Sequence, residues 1–552
     1  MKRVKSTLLY GGLLVASAMF STSCSDWLEL SPIDNYGSGS YWKTEAQAAG
    51  YIDGIHKHLR DATWQHTMVF GELRGGTFKD PLSADGNTIS DGLIRLQNFD
   101  NVNTGVSKFG DLYGRITNLN LFIARVTDAT YISEAKKNFF LGQVYGLRAF
   151  YYFDLYRVYG GVPLRLGVEV IDGELDPNKL YMARSTPKQV MEQIKSDLAK
   201  SMEYFGNENS FDPYSQGKKV YWSKAATESL MGEVYLWTSK VTTGDDVANI
   251  ADLAIAKQHL LNVANGYSLK LMPNFADVFE AKNNKANNEI IFAVRYMEGE
   301  ATNNNSMFTY NLATGQTSKS SFRADGTVWG DPLTVKSGGS QWYEYDIKLY
   351  NLFDDADVRK AATFMPSYRK DADNKLYVYG THVCKNIGYI NAQGERVYCG
   401  DYVFYRLSWV YLTLAEIANM EGNNSDVEKY MNLVRERAYP YYNDDKKTDW
   451  KKDLYGYVAS DFTTNELAIF NEKTKEFVQE GQRWWDLRRM TLTKGGKPLA
   501  FCKEAALDGK NPILNEEKEA YKLLWPIEQT MIDKDPKLVQ TPGYPVPEKK
   551  DK

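Results

Sequence analysis

Hydrophobic residues recur at intervals of three and four along most of this chain, which is the pattern of an amphipathic helix. The longest run keeps this spacing through Phe140, Val144, Leu147, Tyr151, Leu155 and Val158. Gly160-Gly161 ends that helix, and Pro163 prevents it from resuming. Further runs predict helices from Thr44, over 113–126, after Thr186-Pro187, after Ser223 and over 250–264. The pattern therefore predicts a mostly α-helical fold.

Two stretches interrupt the helical pattern. Residues 62–106 are broken by Gly and Asn and are predicted to be loop-rich. Residues 267–404 are rich in Asn, Gly and Tyr, with short strand-like pieces at 290–294 and 376–379. Helices resume at Leu407 and form a hairpin that turns at Gly422-Asn423-Asn424. We therefore expect an irregular lobe inserted between an N-terminal and a C-terminal set of helices.

The stretch FVQEGQRWWDLRRM, residues 477–490, follows a helical run for which Thr463 or Thr464 is the predicted N-cap. Glu480-Gly481 interrupts that helix, because Gly permits backbone angles that other residues resist. A second short helix then places Arg483 and Asp486 three residues apart, beside two tryptophans. This arrangement predicts a buried ion pair in a packed core rather than a catalytic group.

The same stretch contains EG-x-R-W-x-D-L, which resembles the hallmark of the SusD/RagB family of surface glycan-binding lipoproteins of Bacteroidetes. Three further stretches match that family in order: LRAFYYFDLYRVYGGVPL at 147–164, the hairpin at 405–439, and LWPIEQTMIDKDPKLVQTPGY at 524–544. The resemblance implies a mostly α fold, namely a tetratricopeptide-like helical scaffold with an irregular loop-rich lobe. It also implies an N-terminal SusD-like region at 24–240 and a C-terminal RagB/SusD region at 241–552. The latter divides into an irregular lobe at about 267–404 and a helical return at 405–490.

Residues 1–23 have the features of a lipoprotein signal peptide. A basic start is followed by an apolar segment at 8–20, which is shorter than the roughly 20 residues that span a bilayer as a helix. Small residues then precede Cys24, which predicts lipid attachment at that cysteine. The alternative is a plain secretory signal with an incidental cysteine. Either interpretation predicts export.

Composition excludes some classes of partner. The formal net charge is −4, and no basic stripe is concentrated in the sequence, so nucleic acid is a poor candidate for a ligand. Aromatic residues make up 13% of the chain. Many of them must fill the core, but Tyr and Trp also suit a surface that recognises amphipathic ligands.

Cys384 and Cys399 flank a predicted hairpin in which Asn391 and Gly394 form the turn. In an exported protein, a disulfide between them and a pair of free thiols are both compatible with this placement. No cysteine pair has C-x-x-C spacing, so we predict no metal site.

The chain contains no H-E-x-x-H, no G-x-S-x-G and no Walker loop. We therefore predict no catalytic residues, no cofactor and no enzymatic activity. The nearest enzymatic alternative is a glycoside hydrolase, which needs only two suitably spaced carboxylates.

The requirements of a sugar-binding site are different. An aromatic plane covers the apolar face of a sugar, while polar side chains on loops pair with its hydroxyl groups. In the family, these residues come from the loops after the first helix and from the middle lobe. The corresponding candidates here are Trp64, Arg74, Trp329, Trp342, Tyr343 and Tyr345. The structural alternative places each Trp in a core and gives Arg74 a bracing role in its loop.

The function implied by the resemblance is non-catalytic capture of oligosaccharides at the cell surface. The captured glycan is then delivered to a partner TonB-dependent, SusC-like transporter in the outer membrane. The protein is expected on that membrane, lipid-anchored and facing the cell exterior. Two alternatives keep the fold: capture of peptides, as in RagB-type relatives, and a scaffold used only for protein contacts.

Overall fold

A computed structural model of the chain describes residues 41–79, 92–105, 109–168, 180–214, 218–303, 319–336, 343–440 and 452–545. The predicted signal peptide and the predicted lipid attachment site, Cys24, lie outside these ranges.

The described part of the chain is mostly helical, as predicted. The helices of the first half are α1 (Glu45–Trp64), α2 (Gly92–Arg95), α3 (Phe109–Val126), α4 (Glu134–Tyr159), α5 (Pro187–Phe205), α6 (Lys224–Lys240) and α7 (Asp252–Gly266). Those of the second half are α8 (Ile347–Leu352), α9 (Val358–Thr363), α10 (Leu407–Glu421), α11 (Asn424–Ala438), α12 (Lys452–Tyr455), α13 (Phe462–Glu476), α14 (Arg483–Arg489), α15 (Glu516–Glu519) and α16 (Gln529–Lys534). Short 3₁₀ helices lie at Leu73–Gly75, Phe275–Phe279, Leu499–Phe501, Lys503–Ala505 and Ala520–Leu523.

The scaffold is built from helices that pack in sequential pairs, α4 with α5, α6 with α7, and α10 with α11. Local sequence fixes where these helices begin. Thr44, Thr186 and Ser223 each accept a hydrogen bond from the backbone N–H three residues later, as N-caps do. At the other end of α4, Gly160 has φ of +76°, which glycine adopts at little cost. The predicted helical scaffold is therefore confirmed.

The segment after α1 is not the loop that the hydropathy pattern predicted. A π-helix at Gln65–Glu72 continues α1 directly, and a 3₁₀ turn at Leu73–Gly75 follows it. Seven of the eight π-helical residues are buried. Hydrogen bonding from i to i+5 moves apolar positions out of the 3.6-residue period, so this helix has no helical signature in the sequence.

The irregular lobe contains short strands that pair in twos. They are β1 (Phe78–Lys79), β2 (Ile290–Val294), β3 (Glu344–Tyr345), β4 (Phe364–Lys370), β5 (Leu376–Val383), β6 (Tyr389–Ile390), β7 (Arg396–Val397) and β8 (Tyr402–Arg406). All pairs are antiparallel: β1 with β3, β2 with β8, β4 with β5, and β6 with β7. Because β8 leads directly into α10, its pairing with β2 joins the two ends of the lobe at the scaffold.

The C-terminal motif is buried, as predicted, but Arg483 and Asp486 each bond to other residues rather than to each other. Arg483 donates to the carbonyl oxygens of Gly75 and Ala505, at 2.8 and 2.9 Å, and to the Thr474 hydroxyl. Asp486 instead accepts from Arg489 and Lys473. The expectation of an Arg483–Asp486 pair is therefore wrong, because backbone carbonyls of distant segments satisfy the arginine.

The N-cap of α13 also differs from the prediction. Asp461 caps the helix by accepting a hydrogen bond from the backbone N–H of Thr464. The chain enters the helix two to three residues earlier than the hydroxyl-bearing candidates suggested.

Two buried carboxylates organise the charges around the motif. Glu476 accepts from Arg359, Arg406 and Arg437, and these cations hold its pKa well below the usual range despite its burial. Glu416 accepts from Lys240, Lys473 and Arg489 in the same way. Each carboxylate joins segments that are far apart in sequence.

One continuous hydrophobic core extends from Trp42 to Tyr544 and joins the scaffold to the lobe. None of the described helices is both long enough and apolar enough to cross a membrane.

Candidate ligand-binding site

Three of the predicted aromatic residues meet where α1 reaches the lobe. The ring of Trp64 lies 5.3 Å from that of Tyr343, which lies 6.0 Å from Phe78. Phe78 in turn stacks on Tyr345 at 4.2 Å. Trp64 is half-buried, whereas Tyr343 and Tyr345 are buried. The structure therefore gathers these residues into one aromatic cluster.

Backbone pairing holds the cluster in place. Phe78 and Tyr345 are register partners in the β1–β3 ladder. The hydroxyl of Thr381, in β5, donates to the carbonyl of Tyr345 at 2.8 Å. The Tyr345 hydroxyl donates to Glu72 at 2.9 Å. Burial raises the pKa of Glu72 to about 7, and it also raises the pKa of Tyr345 well above its usual value.

Trp329 is not part of this cluster and packs against His382 instead. Its ring lies 4.7 Å from that of His382, the residue after Thr381, and Trp329 is only 3% exposed. His382 is buried against Ser367, with 3.0 Å between Nε2 and the serine hydroxyl. Burial lowers the pKa of His382 to about 3, so this histidine is neutral at physiological pH. In this conformation Trp329 packs inside the lobe rather than on its surface.

Arg74 lies elsewhere and is 1% exposed. Its guanidinium is 4.0 Å above the Trp484 ring, and Nε donates to Gln97 at 2.9 Å. A residue enclosed in this way cannot meet a ligand at the surface, so the expectation that Arg74 binds ligand does not fit its position. Trp342, the remaining candidate, lies outside the described residues.

An exposed aromatic surface lies on the β4–β5 hairpin. Tyr377 is 45% exposed, and its ring lies 6.4 Å from that of Tyr379 on the same face of β5. Arg369 of β4 stacks on Tyr379, with 3.6 Å from its guanidinium carbon to the ring centroid. Lys79 of β1 contacts the edge of this surface through the carbonyl of Tyr379, at 3.4 Å.

This hairpin surface, consisting of Lys79, Arg369, Tyr377 and Tyr379, was not among the predicted residues. The signal for it was present in the sequence, because two tyrosines two apart in a strand share a face. Thr381 of the same strand donates to the carbonyl of Tyr345, so β5 connects the hairpin surface to the buried aromatic cluster.

Two family models match the chain. One, described as "SusD family", matches residues 363–544, and another, described as "Starch-binding associating with outer membrane", matches residues 85–236. A solved SusD superfamily protein from Bacteroides fragilis NCTC 9343 is 69% identical, with a TM-score of 0.85, over 92% of this chain and 100% of that one. This chain belongs to the SusD family.

Two further solved structures extend the comparison. NanU of B. fragilis is 31% identical with a TM-score of 0.76, over 93% of this chain and 100% of that one. A laminarin-binding SusD-like protein is 19% identical with a TM-score of 0.66, over 91% and 100% respectively. The last similarity supports the SusD-like fold alone.

A second candidate surface of this SusD family member lies beside the β6–β7 hairpin of the lobe. It is a cleft of about 470 Å³ lined by residues that include Tyr389, Tyr296, Lys282 and Arg295. The Tyr389 hydroxyl donates to Glu298, whose carboxylate raises the pKa of Tyr389 to about 12. Lys282 lies 5.2 Å above the Tyr389 ring, so cationic and acidic groups both border this cleft.

The β6–β7 hairpin has the predicted turn, with Gly394 at φ of +72° and its N–H bonded to the carbonyl of Asn391. Cys384 and Cys399, however, are both free thiols, so the disulfide alternative is wrong. Their sulfurs contact different carbonyls, that of Ala361 at 3.6 Å and that of Ala281 at 3.7 Å. The hairpin directs the two side chains into separate environments.

Within the described ranges, no three His, Cys, Asp or Glu side chains are grouped so that they could hold a metal ion.

Proposed function

We propose that this chain is a non-catalytic, cell-surface glycan-binding lipoprotein that captures oligosaccharides. The observation that carries the proposal is the tyrosine pair of a SusD-family hairpin, in which Tyr377 is exposed and Tyr379 is half-buried. The starch-binding description of one matching family model supports it, as does the laminarin-binding SusD-like protein of similar fold.

The hairpin surface has the groups that a sugar requires. The ring of Tyr377 is open to solvent and can cover the C–H face of a pyranose. Arg369 keeps the Tyr379 ring in a fixed orientation, since its guanidinium rests on that ring. Nε of Arg369 is buried without an acceptor among the described residues, so the terminal N–H groups of this guanidinium are the ones that would meet sugar hydroxyls. Of the predicted residues, Trp64 and Tyr343 contact each other in the aromatic cluster, and Trp342 precedes Tyr343 in the sequence.

The partner follows from the family assignment rather than from a contact. We propose that lipidated Cys24 anchors the protein to the outer membrane, facing the cell exterior, and that the bound glycan passes to a SusC-like TonB-dependent transporter. Co-expression of the two proteins and purification in mild detergent tests this step. Failure of the two proteins to co-purify would contradict delivery but would leave glycan capture intact.

Binding in this proposal forms and breaks no covalent bond. Prolonged incubation of the protein with a retained oligosaccharide is expected to leave it intact by chromatography. Appearance of shorter products at a rate proportional to protein concentration would favour a glycoside hydrolase.

The experiment that tests capture uses a soluble variant that begins after Cys24, in native gels containing plant, microbial or host polysaccharides. We expect retardation by at least one polysaccharide, and loss of it in Tyr377→Ala and Tyr379→Ala. Tyr214→Ala is the matched control, because Tyr214 is equally exposed, at 46%, but packs against Phe139 of the scaffold.

The outcomes separate the alternatives. Loss of retardation in Tyr389→Ala alone would move the site to the cleft and contradict the hairpin surface. Absence of retardation across the whole panel would contradict glycan capture, and the same gels with labelled oligopeptides would then test peptide cargo.

A further inference from the structure

Arg488, near the end of α14, is a buried arginine that has no acidic partner among the residues that the structure describes. It is 4% exposed, and its guanidinium lies 5.0 Å from the Trp237 ring. Nη1 donates to the carbonyl of Arg157, and Nε is buried without an acceptor in the described part of the chain. Burial lowers the pKa of Arg488 to about 9, and the nearby cations Arg74 and Arg157 add to this effect, although Arg157 itself pairs with Asp154 and Glu233. A buried cation of this kind is costly unless an anion accompanies it.

Three basic residues near Arg488 form ion pairs with carboxylates, whereas Arg488 forms none among the described residues. Arg489 pairs with Glu416 and Asp486, Lys240 pairs with Glu416 and Glu466, and Lys473 pairs with Glu416 and Asp486. Three cations and three carboxylates therefore cancel in this network. Arg488 forms no ion pair with any carboxylate of this network.

Arg488 also lines a pocket in the scaffold. The pocket has a volume of about 410 Å³ and is enclosed by the C-terminal end of α6, by α14 and by the segment from Ala520 to Pro542. Its lining includes Lys240 and Arg489 but no Asp or Glu. Leu523 and Leu524 supply apolar walls, and Tyr521 is 36% exposed. The volume suits a small molecule, since ligand sites commonly range from about 300 to 1,000 Å³.

We propose that this pocket binds a small ligand that carries one carboxylate, of the size of an acidic sugar, with Arg488 as the anion-binding group. A guanidinium matches the planar geometry of a carboxylate. A carboxylate supplies the acidic partner that Arg488 lacks among the described residues, and Tyr521 offers an aromatic face for the rest of the ligand. The pocket shares no residue with the hairpin surface, so this site goes beyond the proposed capture of glycans there.

The test uses isothermal titration calorimetry on the soluble chain that begins after Cys24. The probes are glucuronate, glucose as its uncharged counterpart, and sulfate as a bare anion. We expect glucuronate to bind and glucose not to bind. In Arg488→Gln, glucuronate binding is expected to weaken by about tenfold or more, because a charge-assisted hydrogen bond is lost.

A matched pair of variants keeps the test independent of the folding of Arg488→Gln. Ala520 is exposed at the pocket, so Ala520→Glu adds a competing carboxylate and Ala520→Gln adds the same bulk without charge. We expect Ala520→Glu to weaken glucuronate binding several-fold relative to Ala520→Gln, on the scale of a charged contact at a partly exposed site. Tyr377→Ala is expected to bind glucuronate as the parent does, which separates this site from the hairpin surface.

Three results would overturn the proposal: no heat of binding with glucuronate, equal affinity in folded Arg488→Gln, or equal affinity in the two Ala520 variants. Sulfate binding as tightly as glucuronate would show a bare anion site and contradict the sugar-sized ligand.

Discussion

A Cβ atom on Gly71 would lie 1.9 Å from the carbonyl oxygen of Gly481. The π-helix after α1 thus touches the turn of the C-terminal motif, through the backbones of two glycines that are distant in sequence. Gly481 has φ of +72°, and a Cβ there would lie 2.7 Å from Cα of Thr67. Backbone atoms therefore crowd both glycines. No flexible side chain lies at the contact that could move to make room for a Cβ atom.

We therefore expect Gly71→Ala to lower the free energy of unfolding by about 1–3 kcal/mol or more, as overpacking of a rigid core does. Gly54→Ala in α1 is the control, because no atom lies within 4 Å of its Cβ position. That change should be neutral or stabilise by up to about 1 kcal/mol. Thermal or denaturant unfolding measures both, and equal stability of the two variants would contradict the close contact.

The buried carboxyl of Glu72 predicts a loss of stability as pH rises. Its pKa is raised to about 7 in the folded protein, from a usual value near 4.5, chiefly by burial. Its favourable contribution is therefore complete below pH 4.5 and is lost as pH rises through about 7, by up to about 3 kcal/mol.

Glu72→Gln stays neutral and still accepts hydrogen bonds from Tyr345 and Gln479 through its amide oxygen. We expect its stability relative to the parent to increase between pH 5 and pH 8 by about 1–3 kcal/mol, in denaturant unfolding at each pH. Glu134→Gln, at an exposed helix start, should show no such trend. A pH-independent difference for Glu72→Gln would count against the raised pKa.

For Glu476 we expect stability to decrease as pH falls, which is the opposite of the pH dependence expected for Glu72. Three arginines hold its pKa well below the usual range, so its stabilising contribution is complete above about pH 4.5 and is lost only as pH falls further. We expect Glu476→Gln to cost about 3–5 kcal/mol at pH 7, because it removes a carboxylate partner from three buried arginines at once. Glu516→Gln removes a half-exposed pair with Lys497 and should cost at most about 1 kcal/mol. Comparable losses for the two variants in denaturant unfolding would show that the Glu476 cluster is solvated.

Because Cys384 and Cys399 are free thiols, we can predict how many cysteines react with an alkylating agent. In the soluble chain that begins after Cys24, alkylation in denaturant without reductant should modify three cysteines: Cys384, Cys399 and Cys502. Intact-mass spectrometry measures this number, and Cys384→Ser should lower it to two. Modification of one cysteine before reduction and three after it would establish the disulfide instead. In the folded protein the reaction should be slow, because burial raises the pKa of Cys384 to about 12.

The sequence predicted those features that depend on neighbouring residues. Hydrophobic periodicity located α4, and local side chains fixed the N-caps at Thr44, Thr186 and Ser223. The shared face of Tyr377 and Tyr379 in β5 was not predicted, although the two-residue spacing of these tyrosines carried that signal.

Contacts between residues that are distant in the sequence could not be predicted, because the type of a side chain does not show which backbone segment packs against it. Arg483 was expected to pair with Asp486 three residues away, but carbonyls of Gly75 and Ala505 satisfy it. Arg74 was expected on a binding loop, but the rings of Trp484 and Trp525 enclose it.

The helical scaffold and the family could be read from the sequence, because they follow from periodicity, caps and local motifs. Folding in three dimensions settles which aromatic residues are buried, which carboxylates pair with which arginines, and that Arg488 has no acidic partner among the described residues. These outcomes depend on burial and on contacts between distant segments, and both arise only when the chain packs into one core.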